Sequence, residues 1–230
     1  MRHFDEQLQQ LLQKIVLMGS TAEAMIASAI RCLVERNEAA AQAVFTKEHE
    51  VNQLQMEVDE AAVRLTALQQ PVAADVRFLF MASRIVTELE RIGDQAVNIC
   101  QNAKHLTSQP SLKPLVDIPI MGDVVKKMVR DSLTAMINRN VGLADQVLEE
   151  EKKVDAFKDQ IFRTLLTYMM ADPGTIERAL ALILISRNLE RIGDHATNIA
   201  EEVIYIIQGR DIRHGGEQAA VPPEATTRLH

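Results

Sequence analysis

One hexapeptide occurs twice in this chain. Leu-Glu-Arg-Ile-Gly-Asp fills 89–94 and again 189–194. Its surroundings repeat as well: residues 85–100 match 185–200 at ten of sixteen positions. Upstream, EHEVN at 48–52 lies over EKKVD at 151–155, and Asn37 follows Arg36 as Asn140 follows Arg139. Self-similarity on this scale means two copies of one structural unit. Each copy has about 100 residues, enough for a core of its own.

The prolines outline what each unit contains. None falls in 1–70, Pro71 and Pro173 stand alone, Pro110, Pro114 and Pro119 cluster, and Pro222 and Pro223 lie near the end. A proline inside a helix costs about 3 kcal/mol, so long proline-free segments can be long helices. Only 3% of the residues are aromatic and there are 9 glycines in 230, which disfavours a turn-rich β fold. Leu8, Leu11, Ile15, Met18, Ala22, Met25, Ala29 and Leu33 step by three and four, placing one apolar helical face between Asp5 and Arg36. A second helix follows Asn37 as N-cap and runs to Gln69, with Val44, Val51, Leu54, Val58, Ala61, Leu65 and Leu68 on its face. Pro71 suits the first turn of a third helix, which carries Ile85, Leu89, Ile92, Ala96 and Ile99 and fades near Leu106. Residues 107–119 read as a linker. The pattern then restarts: a fourth helix over 121–139, a fifth after Asn140 to Ala171, and a sixth opened by Asp172-Pro173 and closed by Gly209. The expected fold is all-α, two tandem pseudo-symmetric three-helix bundles of six long helices. The first repeat spans 1–107, the Pro-rich linker 108–119, the second repeat 120–210, and a flexible tail 211–230.

A net charge of −7 argues against wholesale nucleic-acid binding. The longest apolar run, Ala179 to Ile185, is far short of the ~20 residues that span a bilayer, and the N-terminus lacks a signal-peptide core. A cytoplasmic protein with no direct membrane span is expected. Cys32 and Cys100 show no metal or redox spacing and read as buried free thiols.

Chemistry concentrates around the repeated hexamer. Gly93 and Gly193 each sit mid-helix at a cost of roughly 1 kcal/mol relative to Ala, so a neighbouring helix or a ligand comes close to the backbone there. Glu90 and Asp94 are four apart, as are Glu190 and Asp194, and each pair shares one side of its helix. Asn98 and Asn198 extend the rows. The rows flank the apolar faces, so partial burial is expected, which makes the repulsion costlier. The second helix of each repeat offers partners: Glu151 and Asp155 in one copy, Glu48 and Asn52 in the other, with Asp59 two turns on. Two facing acid rows resemble the carboxylate layout of metal-binding helix bundles. Oxygen ligands suit Mg, Mn, Ca or ferric-type ions, whereas the lack of histidine ligands does not support a tight zinc site. Ordinary ion pairs are the competing reading, since Arg91 can reach Asp94 and Arg187 can reach Glu190. No phosphate loop, nucleophile elbow or His-x-x-x-His helix is present, so no catalytic residue is assigned. The methionines at helical spacing are core filler, and Lys126-Lys127 and RDIRH at 210–214 are too small for a nucleic-acid surface.

The duplicated LERIGD-x-x-x-NI, the six-helix pattern, QPVAADVR at 70–77, TYMMADP at 167–173 and the ending VIYIIQGRDIRH at 203–214 together resemble the PhoU family, over about Phe4 to His214. The resemblance implies two three-helix bundles and a non-enzymatic role. It implies a negative regulator of phosphate uptake and of the phosphate-starvation response. Its partners would be the ATPase subunit of a phosphate ABC transporter and a sensor histidine kinase. A homo-oligomer, a dimer, is the expected assembly. The resemblance also implies metal ions or clusters on the acid rows, with iron, magnesium, manganese or zinc as candidates. Carried onto this chain, the ligands would be Glu48, Asn52, Glu90, Asp94, Glu151, Asp155, Glu190 and Asp194. Asn52 departs from that pattern by an amide, and Gln55 stands where an acid is often found. Both weaken the first bundle's attraction for a hard cation. Two other readings stay open on the residues alone: a metal-dependent hydrolase or phosphatase using the same rows, and a purely structural scaffold.

Overall fold

The computed structural model describes residues 2–69 and 71–212. Six long helices account for nearly all of them: α1 (Arg2–Glu35), α2 (Glu38–Gln69), α3 (Ala73–Thr107), α4 (Asp117–Ile137), α5 (Val141–Ala171) and α6 (Ile176–Gln208), with a short 3-10 turn (Pro173–Thr175) before α6. Helices α1–α3 pack mutually, as do α4–α6, giving the expected pair of three-helix bundles. The predicted tail lies outside the described residues from 213 onward.

Helix ends follow the capping residues. The Asn37 side chain accepts from the Ala40 N–H at 3.2 Å, and Asn140 accepts from Leu143 at 3.1 Å. Asp172 accepts from Gly174 at 2.9 Å, and Gly209 closes α6 with a left-handed φ of 67°. Just before each capping asparagine, Arg36 and Arg139 take positive φ, 54° and 49°. At Arg139 this forms a Schellman closure: Asn140 N–H donates to Ala135 C=O at 2.9 Å and Arg139 N–H to Met136 C=O at 3.4 Å. The repeat of Arg-Asn in the sequence is thus a repeated turn conformation.

Two proline expectations are corrected. Pro71 is not in the first turn of α3; Val72 is the N-cap and the helix starts at Ala73. Pro119 does not belong to the linker. The fourth helix begins at Asp117, four residues earlier than expected, and Pro119 occupies its first turn. Backbone N–H groups there have no intrahelical acceptor, so proline costs nothing. The shortened linker, 108–116, is fastened down: Arg178 donates to the Pro110 carbonyl at 3.1 Å, and Leu112 and Leu115 pack on the core.

The cores of the two bundles are continuous. The most extensive helix contact joins α3 to α6, and α1 packs on α4. Helix α1 is long and apolar enough to cross a membrane by length and composition. Here its face from Leu8 to Leu33 is buried in the protein core, each leucine, isoleucine or methionine on it contributing about 1.5–3 kcal/mol. Cys32 and Cys100 are buried and unbridged, and burial pushes the Cys100 thiol up to about 12.

Gly93 and Gly193 face a neighbouring helix, as one of the two readings required. Their α-carbons face Met25 and Val51 in one repeat and Met128 and Val154 in the other. The tighter glycines are elsewhere. Gly19 of α1 lies under Leu133 of α4, and Gly122 of α4 lies under Ile30 of α1. These two contacts are equivalent under the repeat, since Gly19 corresponds to Gly122 and Ile30 to Leu133. Gly19→Ala is expected to lower stability by roughly 1–3 kcal/mol through overpacking against Leu133. Gly93→Ala meets only an ordinary contact at 3.4 Å from Met25 Cε. It should be neutral or stabilising by up to about 1 kcal/mol, from helix propensity. Urea unfolding midpoints of the two variants check this ordering.

Candidate functional site

Helices α5 and α6 bring the second repeat's acid rows together. Burial pushes the Asp194 carboxyl up to about 6, with the negative charges of Glu190 and Glu151 adding to it. Glu151 is raised by burial, then by Asp155 and Glu190. The influence of Glu151 on Asp194, and of Glu190 on Glu151, places the two rows within electrostatic reach of each other across the helix pair. Glu151, Glu190 and Asp194 are half-buried, and Asp155 is exposed. A cation already stands among them. Lys158 Nζ donates to Asp155 Oδ1 at 2.8 Å and to Glu190 Oε1 at 2.9 Å, linking α5 to α6. Both hydrogen bonds hold the ammonium above its ordinary pKa.

The first repeat reproduces the rows in weaker form. Glu48, Asn52, Glu90 and Asp94 are all half-buried. Burial raises Glu90, followed by Asp94, with Glu48 of α2 also contributing. Gln55 occupies the position matching Lys158. The donor chemistry of both rows suits a hard cation. Among the described residues, however, no three His, Cys, Asp or Glu side chains are placed to hold one metal ion. In this arrangement oxygens of Asp155 and Glu190 are taken by the Lys158 ammonium rather than open to a metal.

The sequence did not disclose a second polar cluster, in the seam between α3 and α6. Glu88 Oε2 receives Asn198 Nδ2 at 2.9 Å and lies 2.7 Å from His195 Nδ1. Arg91 approaches Glu88 at 3.8 Å rather than the expected Asp94, and Arg84 pairs with Glu202 at 3.0 Å. Asn198 therefore turns toward α3 instead of extending the row of Glu190 and Asp194. Burial works to raise Glu88, but the hydrogen bonds from His195 and Asn198 hold it below the usual carboxylate range. The only sequence signal was His195 itself, one residue round the helix from Asp194.

An apolar groove lies on the outer face of the α2–α3 hairpin, lined by Ala62, Val63, Leu79 and Phe80, with Asp59 and Ser83 hydrogen-bonded at its edge. Val63 is 70% exposed and Phe80 60%. The matching positions of the second repeat, Leu166 and Leu180, are exposed apolar residues too.

The fold and these features define a duplicated three-helix-bundle protein with paired acid rows and an apolar outer face on each repeat. The sequence pattern of the PhoU domain matches twice, over residues 15–103 and 118–203. A phosphate-specific transport system accessory protein PhoU homolog from Pseudomonas putida is 38% identical over 94% of this chain and 84% of its own length. The Escherichia coli K12 phosphate-specific transport system accessory protein PhoU is 35% identical over 94% of this chain and 90% of its own. The crystal structure of PhoU from Pseudomonas aeruginosa superposes with a TM-score of 0.86 at 37% identity, covering 90% of this chain and 99% of that one. The chain belongs to the PhoU family.

The seam has a pH signature. Burial pushes the Glu202 carboxyl up to about 7, against the pull of the Arg84 guanidinium. A folded-state pKa above the unfolded value stabilises below the unfolded value, and that stability is lost as pH rises through about 7. Glu202→Gln should remove this decline and raise stability at pH 8 by about 3 kcal/mol at most. Unfolding free energies at pH 5.5 and 8 check it; the gap between variant and parent should widen with pH.

Proposed function

We propose that this protein is a non-enzymatic regulator of phosphate-specific transport that restrains uptake and the phosphate-starvation response when phosphate is plentiful. It would do so as an adaptor in the cytoplasm, joining the transporter's ATPase subunit to a sensor histidine kinase. The observation that carries this reading is the match of both repeats to relatives named as accessory proteins of the phosphate-specific transport system, along almost their whole length.

The structure supports an adaptor in physical terms. Each repeat carries an exposed apolar pair at equivalent positions, Val63 and Phe80 in one and Leu166 and Leu180 in the other. Apolar surface of this kind is what protein partners bury. Two such faces on one chain suit two simultaneous contacts, or one contact made twice in a dimer. Among the acids near the repeated hexamer, Asp155 and Glu190 are held by Lys158, a pairing that ties α5 to α6.

Affinity purification from phosphate-replete cells should recover the transporter ATPase, the kinase or both, with less recovered from starved cells. Val63→Asp with Phe80→Asp should reduce recovery by about tenfold while leaving the helical circular dichroism unchanged. Unchanged phosphate-response genes in a deletion strain grown in high phosphate would sink the regulatory reading. Hydrolysis of phosphate esters by the purified protein, abolished in Asp194→Ala, would favour an enzyme instead.

A further inference from the structure

We infer that Lys158 is the built-in counter-cation of the second repeat's acid rows, so that this cluster is closed to an external metal ion. The sequence spacing alone predicted a hard cation between Glu151–Asp155 of α5 and Glu190–Asp194 of α6. The Lys158 ammonium takes that place, bonded to one carboxylate of each row at 2.8 and 2.9 Å. Its side chain is 30% exposed and that of Glu190 22%, so the α6 contact is shielded from bulk water. A lysine held in this way competes directly with a divalent ion for the same oxygens.

Comparison of the two repeats supports the assignment independently. Asp155 and Lys158 are three apart on one helix face and form an ion pair at 2.8 Å. The corresponding residues of the first repeat are Asn52 and Gln55, an amide pair. One acid and one base in one copy thus stand where two neutral amides stand in the other. The net charge is kept: four carboxylates less one ammonium in the second repeat, against three carboxylates in the first. If Asp155 served an external metal, nothing would tie its presence to a lysine one turn away. A charge paired within the protein requires that coupling.

The test uses Lys158→Gln, the Asp155→Asn/Lys158→Gln double variant, and Mn2+ as the probe. Binding is read from the free-ion signal in electron paramagnetic resonance. Lys158→Gln should bind Mn2+ at least about tenfold more tightly than the parent, and adding Asp194→Asn should abolish the gain. The double variant, which carries the first repeat's pair, should recover the urea midpoint lost in Lys158→Gln and bind no more Mn2+ than the parent. The inference is overturned if Lys158→Gln shows no gain, or if the double variant is as unstable as the single one. It is also overturned if the parent already binds Mn2+ in a manner that Asp194→Asn removes. That last comparison needs only the parent and Asp194→Asn, so it decides the matter even where Lys158→Gln fails to fold.

Discussion

The packing of α3 against α6 is the constraint on which the rest of the molecule depends. These helices carry the repeated hexamer and run antiparallel, as the pairs of Arg84 with Glu202 and Glu88 with Asn198 require. Each also packs against both other helices of its own bundle. One face of α6 meets α5, another meets α4, and a third meets α3. The consecutive residues Asp194 and His195 are consequently sent to different neighbours: Asp194 to the acid row opposite α5, His195 to Glu88 of α3. A helix turns by about 100° per residue, so adjacent side chains point in different directions.

The second joint, α1 on α4, works by close approach rather than charge. Gly19 and Gly122 let Leu133 and Ile30 settle onto the opposing backbones. Across this joint Arg130 reaches Glu23 with Nε at 2.9 Å and Nη2 at 2.7 Å. The ion pair is single, whereas the glycine contacts come as a symmetric pair. Van der Waals fit therefore defines the pseudo-twofold relation, and a charge in one position only does not disturb it. Together the two joints merge the bundles into one core, which a linker alone could not do.

What could be read in the sequence follows the reach of each interaction. Helix faces were legible because apolar steps of three and four are local, and the caps at Asn37, Asn140 and Asp172 for the same reason. The duplication extended that to architecture and placed the acid rows on facing helices. Pro119 misled because proline both interrupts and opens helices, and the sequence alone does not say which. Glu88 was missed because its partners lie on α6, more than one hundred residues away. Gly19 and Gly122 were overlooked beside the more conspicuous Gly93 and Gly193. Aligning the helices before α3 by the Arg-Asn turns would have exposed Gly19 and Gly122 as a matched pair.

Lys158 shows what spacing alone leaves open at such a row. Carboxylates four apart on a helix establish only that negative charge accumulates on one side. What compensates it is set by any cation within reach, and a lysine one turn on reaches as far as a bound ion. The two repeats reach similar electrostatic balance by different means, with an ion pair in one and two amides in the other. A duplicated fold can thus retain its architecture while the chemistry of its equivalent positions diverges. The apolar pairs on the outer faces have not diverged in this way: Val63 and Phe80 are matched by Leu166 and Leu180, apolar for apolar and exposed for exposed. Exposed apolar surface stabilises nothing in the isolated chain. Its presence at equivalent positions of both copies is the feature that the proposed adaptor role uses, whereas the Lys158 pairing joins two helices of the fold.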